Sequence, residues 1–368
     1  MYIRDIDTPA LLIDKNIMMD NIQSMQAYAD KNNVALRPHT KTHKMPALAH
    51  LQEEAGAVGI AAAKVGEAEV MAGRGLKNIF IANEIVGATK LYRIRTLAET
   101  IHISFGIDNT YQVTEIEKVF EGAAKKAQVL IEIEVGEKRS GVTTKPQFIE
   151  LLRILKKCSN VEFKGVFSHD GHSYKAETKE ECRKIYMDSV KSTLDYAAWA
   201  EEMDMKAETV SIGSTPPFMF DFDVPAGVTE IRPGTYIFMD VSQGNVIGSY
   251  DRCAASVLTT VISKPTEERV ITDVGAKGLT AQSRNAGLTK TKGYGTLKAF
   301  DSIHVDGVFD EHAIINNASF RTSINIGDKI EIIPNHICPV CNLYEKAYVI
   351  FNNEVEEELL VEGRGKLQ

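Results

Sequence analysis

The sequence predicts an α/β protein, a (β/α)8 TIM-like barrel followed by a smaller all-β domain. Three observations carry that prediction. Short apolar runs alternate with helical patterns from residue 10 to about residue 240, the rhythm of right-handed βαβ units on a parallel sheet. The residues that bear chemistry follow those runs, at the strand ends where barrels carry their sites. Beyond residue 246 short β-type runs separated by Gly and Asp turns take over, and no long helical pattern intervenes.

In order, residues 10–14 form an apolar strand, and Ile17, Met18, Ile22, Met25 and Tyr28 then recur at helical spacing up to residue 29. Strands are predicted at 33–38, 58–61, 78–82, 101–105, 129–135, 161–168, 208–212 and 228–232. Helices are predicted between them at 45–55, 65–72, 89–98, 109–127, 145–157 and 175–203. So many strands before residue 240 favour a closed barrel over an open sheet. The second domain is read from β-type runs at 254–262, 269–273, 294–300, 313–316, 329–333 and 347–351. The expected division is a barrel over 9–245 and a β domain over 246–368, with residues 1–8 joining the latter and 362–368 a frayed tail.

Composition narrows the function classes. The 368 residues are 44% hydrophobic and 25% charged, with a net charge of −8 and no long basic run. That argues against nucleic acid or an anionic membrane as a partner. No apolar stretch reaches the length of a membrane span, and Met1-Tyr2-Ile3-Arg4-Asp5 opens no signal core. Five cysteines, an odd count, suit a reducing cytoplasm.

The rim holds several candidates. Arg37-Pro38-His39-Thr40-Lys41-Thr42-His43-Lys44 ends the 33–38 strand. A lysine buried at a strand end has its ammonium form disfavoured, and a neutral amine forms a Schiff base with a carbonyl. The plainer reading of Lys41 is a surface lysine. Gly213-Ser214-Thr215 follows the 208–212 strand, where backbone N–H groups and two hydroxyls suit a phosphate, although such triplets also occur in simple turns. A lysine and a phosphate site on one rim are what pyridoxal phosphate requires. Arg139, placed to reach a phenolate oxygen, Tyr174, placed to lie near a ring nitrogen, and His169, first after its strand, complete the rim candidates.

In the second domain stands Pro334-Asn335-His336-Ile337-Cys338-Pro339-Val340-Cys341. On an extended segment residues two apart face the same way, so His336 and Cys338 can share one divalent metal. Imidazole with thiolate suits Zn²⁺, with Mn²⁺ or Mg²⁺ as alternatives. The other reading is a buried histidine beside core thiols.

Together Thr8-Pro9-Ala10-Leu11-Leu12-Ile13-Asp14, the Arg37–Lys44 block, Gly213-Ser214-Thr215-Pro216, Arg232-Pro233-Gly234-Thr235-Tyr236 and Pro334-Asn335-His336-Ile337-Cys338-Pro339 resemble the D-serine dehydratase / D-threonine aldolase family. These are pyridoxal phosphate enzymes of the alanine racemase fold type. The resemblance spans nearly the whole chain. It implies Lys41 as the cofactor-bearing lysine, with Lys44 a bystander. It implies Gly213, Ser214, Thr215 and Tyr236 near the phosphate, Arg139 near the phenolate oxygen and Tyr174 near the ring nitrogen. His336 and Cys338 fall where members bind a divalent metal that acts on the substrate β-hydroxyl. A lyase of D-3-hydroxy amino acids is implied, working as a homodimer. His-x-Cys leans toward dehydration to a keto acid and ammonia, with retro-aldol cleavage to glycine and an aldehyde as the alternative. Racemisation and a non-catalytic cofactor-binding role are the remaining alternatives.

Overall fold

The computed structural model describes residues 1–368, except the side chain of Asp301. The chain divides into two compact units that interleave in sequence. One comprises Met25–Lys41, Pro46–Gly234 and Gly365–Gln368, and the other Met1–Ser24, Thr42–Met45 and Thr235–Arg364. The first strand, β1 (Ala10–Asp14), lies in the second of these.

The first unit is the barrel. Its strands are β2 (Ala35–Leu36), β3 (Ile60–Ala62), β4 (Asn78–Glu84), β5 (His102–Ile107), β6 (Ala127–Ile133), β7 (Val161–Ser168), β8 (Thr209–Ile212) and β9 (Glu230–Ile231). All pair in parallel, in the order β2-β9-β8-β7-β6-β5-β4-β3. The sheet then closes on itself. Val58 N–H donates to Leu36 O at 3.0 Å and Ala61 N–H to Pro38 O at 2.8 Å, and His39 bridges Ala61. Successive side chains of a strand face opposite ways. Ile79, Ile81, Val129, Ile131 and Val166 accordingly pack in the core that includes helix residues such as Phe148 and Leu152. Phe80, Leu130 and Phe167, at the alternate positions, form a separate small cluster.

Local signals set the helix starts. Asn109 Oδ1 accepts Gln112 N–H while Gln112 Oε1 accepts Asn109 N–H, a reciprocal cap for the helix Thr110–Val119. That helix stops well short of the expected residue 127, and Gly122 has φ +70° in the turn that follows. Thr178 caps the helix Lys179–Glu201, so residues 175–178 are not helical and Gly171–Lys175 forms its own 3-10 turn.

The other unit is built on a mixed sheet. Its strands are β1, β10 (Ala255–Ser263), β11 (Arg269–Thr272), β12 (Gly295–Leu297), β13 (Phe300–His304), β14 (Gly307–Val308), β15 (Ala313–Asn316), β16 (Lys329–Pro334), β17 (Lys346–Phe351) and β18 (Glu354–Leu360). The order is β13-β12-β16-β10-β1-β17-β18, with β11 pairing β10 and β15, and β14 pairing β15. The segment expected to open the barrel is thus a central strand here: β1 runs antiparallel to β10 and parallel to β17. Its run Ala10, Leu11, Leu12 and Ile13 is buried, so both faces of the strand are covered. Short helices at Ala318–Ser323 and Ile337–Cys341 interrupt the expected all-β pattern. The 294–300 run is a hairpin of two strands.

The tail is tied down rather than frayed. Gly363 N–H donates to Lys44 O at 2.9 Å, and Gln368 O accepts Gly66 N–H at 2.8 Å. Among the described residues no helix is long and apolar enough to cross a membrane. None of the five cysteines is in a disulfide.

Candidate functional site

The barrel rim gathers its chemistry just past β2, β6, β7, β8 and β9. Lys41 sits in the 3-10 turn Thr40–Thr42 that follows β2, and it is half-buried. The two lysines of the basic block part company. Lys44 belongs to the other unit, where its Nζ donates to Asn342 Oδ1 at 2.9 Å.

Two imidazoles accompany Lys41. His169 Nδ1 lies 2.7 Å from Gly213 O, so that nitrogen carries the proton and Nε2 keeps its lone pair. Burial, and then the charge of Lys41, push His169 down to about 3. His39 is held well below the ordinary histidine value by burial, then by Lys41 and Arg232. The side-chain charges that bear on these rings are all cationic: Lys41 and Arg232 on both, with Arg139 added at His169. Cations gathered on these rings suit an anionic ligand, with Glu137 the acidic neighbour of both Lys41 and Arg139.

Arg232, just beyond β9, is one of these cations. Its sequence block carries the family resemblance, which gives Arg232 no cofactor role. It is buried, and its guanidinium carbon lies 5.6 Å from the Phe80 ring centre and 5.3 Å from that of Phe167. Nη1 donates to Ser211 Oγ at 2.5 Å and Nη2 to Ser168 O at 2.7 Å. Ser211 Oγ in turn donates to Glu230 Oε1 at 2.5 Å, and Arg37 Nε to Glu230 Oε2 at 2.6 Å. Four side chains from β8, β9 and the residues flanking β2 and β9 thus form one hydrogen-bonded string.

Gly213-Ser214-Thr215 follows β8, with Ser214 and Thr215 buried. Ser214 Oγ lies 3.4 Å from Ser173 Oγ, and Thr215 N–H donates to the Tyr174 hydroxyl at 3.2 Å. Tyr174 therefore stands at the hydroxyl-rich triplet. Asp170, beside it, is buried with Oδ2 unpartnered, and burial pushes its carboxyl up to about 6.

Arg139 lies on the loop after β6, half-exposed, 3.2 Å from Glu132 Oε1 and 3.4 Å from Glu137 Oε2. Glu132 also accepts from Ser140 Oγ at 2.6 Å. Across from it, burial and then the hydrogen bond to Glu132 push Glu84 up to about 9, while Glu132 is held low. These shifts favour a protonated Glu84 beside an ionised Glu132. The loop approaches its neighbour closely: a Cβ on Gly171 would lie 2.0 Å from Glu137 Oε1, so a larger residue there would displace the Glu137 carboxylate.

The His-x-Cys motif lies in the other unit, and its geometry differs from the extended form expected. His336 has φ −144° and caps the helix Ile337–Cys341, so Cys338 sits in the first turn. Asp240 Oδ2 lies 3.0 Å from His336 Nδ1. Burial works against a charged ring, but the Cys338 sulfur and Asp240 outweigh it and push His336 up to about 10. Cys338 Sγ lies 3.3 Å from Thr42 Oγ1, the residue after Lys41, and 3.7 Å from Thr235 Oγ1. Tyr236 follows Thr235 and is buried in the same unit. Among the described residues no group of three or more His, Cys, Asp or Glu is arranged to hold a metal. Two ligands, an imidazole oriented by a carboxylate and a thiol beside hydroxyls, are what the chain offers, and both types suit a divalent ion.

Comparison with known proteins covers the whole chain. Residues 13–242 match the family described as alanine racemase, N-terminal domain, and residues 254–350 the one described as "Putative serine dehydratase domain". A D-threonine aldolase of Arthrobacter sp is 31% identical, over 98% of this chain and 93% of that protein. The crystal structure of D-threonine aldolase from Filomicrobium marinum superposes with a TM-score of 0.90 at 28% identity, covering 100% of this chain and 98% of that one. D-threo-3-hydroxyaspartate dehydratase from Delftia sp. superposes at 0.91 and 26% identity over 98% of both chains, and a variant of it is described in a metal-free form.

Proposed function

The chain belongs to the alanine racemase N-terminal domain family, and from that membership we propose a pyridoxal phosphate- and divalent-metal-dependent lyase of D-3-hydroxy amino acids. The observation that carries the proposal is the His336–Cys338 pair, with its imidazole already oriented by Asp240. Moving one α-proton needs no metal, whereas a metal ligand pair suits work on a β-hydroxyl.

The barrel residues fit an anionic cofactor, because cations surround two neutral imidazoles and two buried hydroxyls lie on the same rim. Lys41 would hold the cofactor and Ser214, Thr215, Gly213 and Tyr236 its phosphate. Arg139, His169 and Tyr174 would contact its ring and its polar substituents. His336 and Cys338 would hold the metal, with Zn²⁺ first and Mn²⁺ or Mg²⁺ as alternatives. When bound, pyridoxal phosphate supplies an electron sink for charge at the substrate α-carbon, and a divalent ion supplies Lewis acidity at the β-oxygen.

In the dehydration route Lys41 would take the α-proton, the β-hydroxyl would leave as water, and a second water would hydrolyse the released enamine, through its imine tautomer, to a 2-keto acid and ammonia. Retro-aldol cleavage is the second reading, favoured by the 31% identity to a D-threonine aldolase. There a base would take the β-hydroxyl proton, the Cα–Cβ bond would break to release the aldehyde, and the α-carbon would regain a proton to give glycine. His169, neutral with its Nε2 lone pair unprotonated, can accept a hydrogen bond at the rim in either route. We further propose that the enzyme is a cytoplasmic homodimer, with the cofactor chemistry in the barrel unit and the metal in the other.

The test is a product assay on D-threonine, D-serine and D-3-hydroxyaspartate with Zn²⁺ or Mn²⁺. From D-threonine, 2-oxobutanoate with ammonia is expected, whereas acetaldehyde with glycine selects cleavage. Lys41→Ala is expected to lose the visible absorbance of bound cofactor and at least about 10³-fold in rate. If none of the three substrates yields either product, the lyase reading falls.

A further inference from the structure

Asp240 is fully buried, yet no motif drew attention to it. A buried carboxylate is costly unless hydrogen bonds satisfy it. Here Oδ1 accepts Gln243 N–H at 2.9 Å, which caps the helix Val241–Ile247. Oδ2 accepts both Ile337 N–H at 3.1 Å and His336 Nδ1–H at 3.0 Å. Ser242 reinforces the join, its N–H and Oγ donating to Asn335 O at 3.3 and 2.9 Å. One helix start thus grips residues 335–337 at four points.

Because the acceptor is a carboxylate, Nδ1 of His336 carries a proton, and Nε2 is the nitrogen left to bind a metal in exchange for its own proton. Three N–H groups, from Gln243, Ile337 and His336, already engage the carboxylate and hold it behind the imidazole. We propose that Asp240 is the positioning residue of the His336–Cys338 metal site: it fixes the imidazole so that Nε2 is the ligand atom, and it stays outside the coordination sphere. The inference rests on the metal reading above and extends it to a residue nothing else singles out. A carboxylate behind a ligating histidine is worth about 10–100-fold in metal affinity.

The experiment uses the full chain, freed of metal by chelation and titrated with Co²⁺ and then Zn²⁺ against a chromophoric competitor. Wild-type protein is expected to take one Co²⁺ per chain with a thiolate-to-cobalt charge-transfer band. Asp240→Asn keeps a good helix cap but offers the ring an amide, and it is expected to bind about 10–100-fold more weakly with the band shifted. Equal affinity with an unchanged band overturns the positioning role. Imidazole ¹⁵N spectra of the Zn²⁺-loaded wild type test it without any variant: a proton on Nδ1 and metal on Nε2 of His336 are expected, and metal on Nδ1 with a proton on Nε2 overturns the proposal. Failure of the wild type to bind Co²⁺ or Zn²⁺ overturns the metal reading, and the inference with it.

Discussion

Glu84 and Glu132 show how burial decides protonation at the rim. In the folded barrel Glu84 keeps its proton up to about pH 9, while the unfolded chain releases it near 4.5. Between those values the folded state binds more protons, so stability falls as pH rises. Glu132, held low, has the opposite sign and supports the fold once pH exceeds its ordinary value. Glu84→Gln keeps a donor toward Glu132 but no longer titrates. Its melting temperature is therefore expected to vary less than wild type's from about pH 5 to 9, with its gain over wild type greatest at the alkaline end. Parallel melting curves for the two proteins would contradict a protonated Glu84. None of this pair was legible in the sequence, because the two glutamates sit on different strands 48 positions apart. The place of Lys41 at a strand end was legible, since it needs only local periodicity. Asp240 was not, because its partner His336 lies 96 residues further on.

At the level of elements, β8 and β9 are held by charge as well as by backbone bonds. The string Arg37–Glu230–Ser211–Arg232 depends on a glutamate only 4% exposed. Glu230→Ala would leave Arg37 and Ser211 without that acceptor, and urea unfolding is expected to show a loss of about 3–5 kcal/mol. Glu230→Gln, which retains one acceptor, is expected to lose less. A variant within about 0.5 kcal/mol of wild type would mean that the string adds nothing net. The βα alternation was readable because it is a local pattern repeated many times. Helix ends were harder: Thr178 and Gly122 ended helical patterns that the apolar spacing alone carried further. The bend at His336 escaped an extended reading for a related reason, since capping depends on a carboxylate supplied from elsewhere in the chain.

The chain as a whole is not two consecutive halves. Its barrel unit and its sheet unit each draw on separated segments, and β1 is central to the second although it comes first. A fragment of residues 1–245 would lack both β10 and β17, leaving Leu11, Leu12 and Ile13 without their neighbours. Such a fragment is expected to aggregate or to show reduced far-UV ellipticity per residue beside the full chain, and a soluble monomer with native barrel signal would contradict this. The same strand governs the order of events on the ribosome. Leu11 pairs with Ala347, 336 positions further along the chain. At about 5–20 residues per second, that partner follows roughly 20–70 s later. Until β10 is made the strand is unpaired on both edges, and until β17 follows it keeps one apolar edge open, so the nascent chain is a natural client for a holding chaperone over that interval.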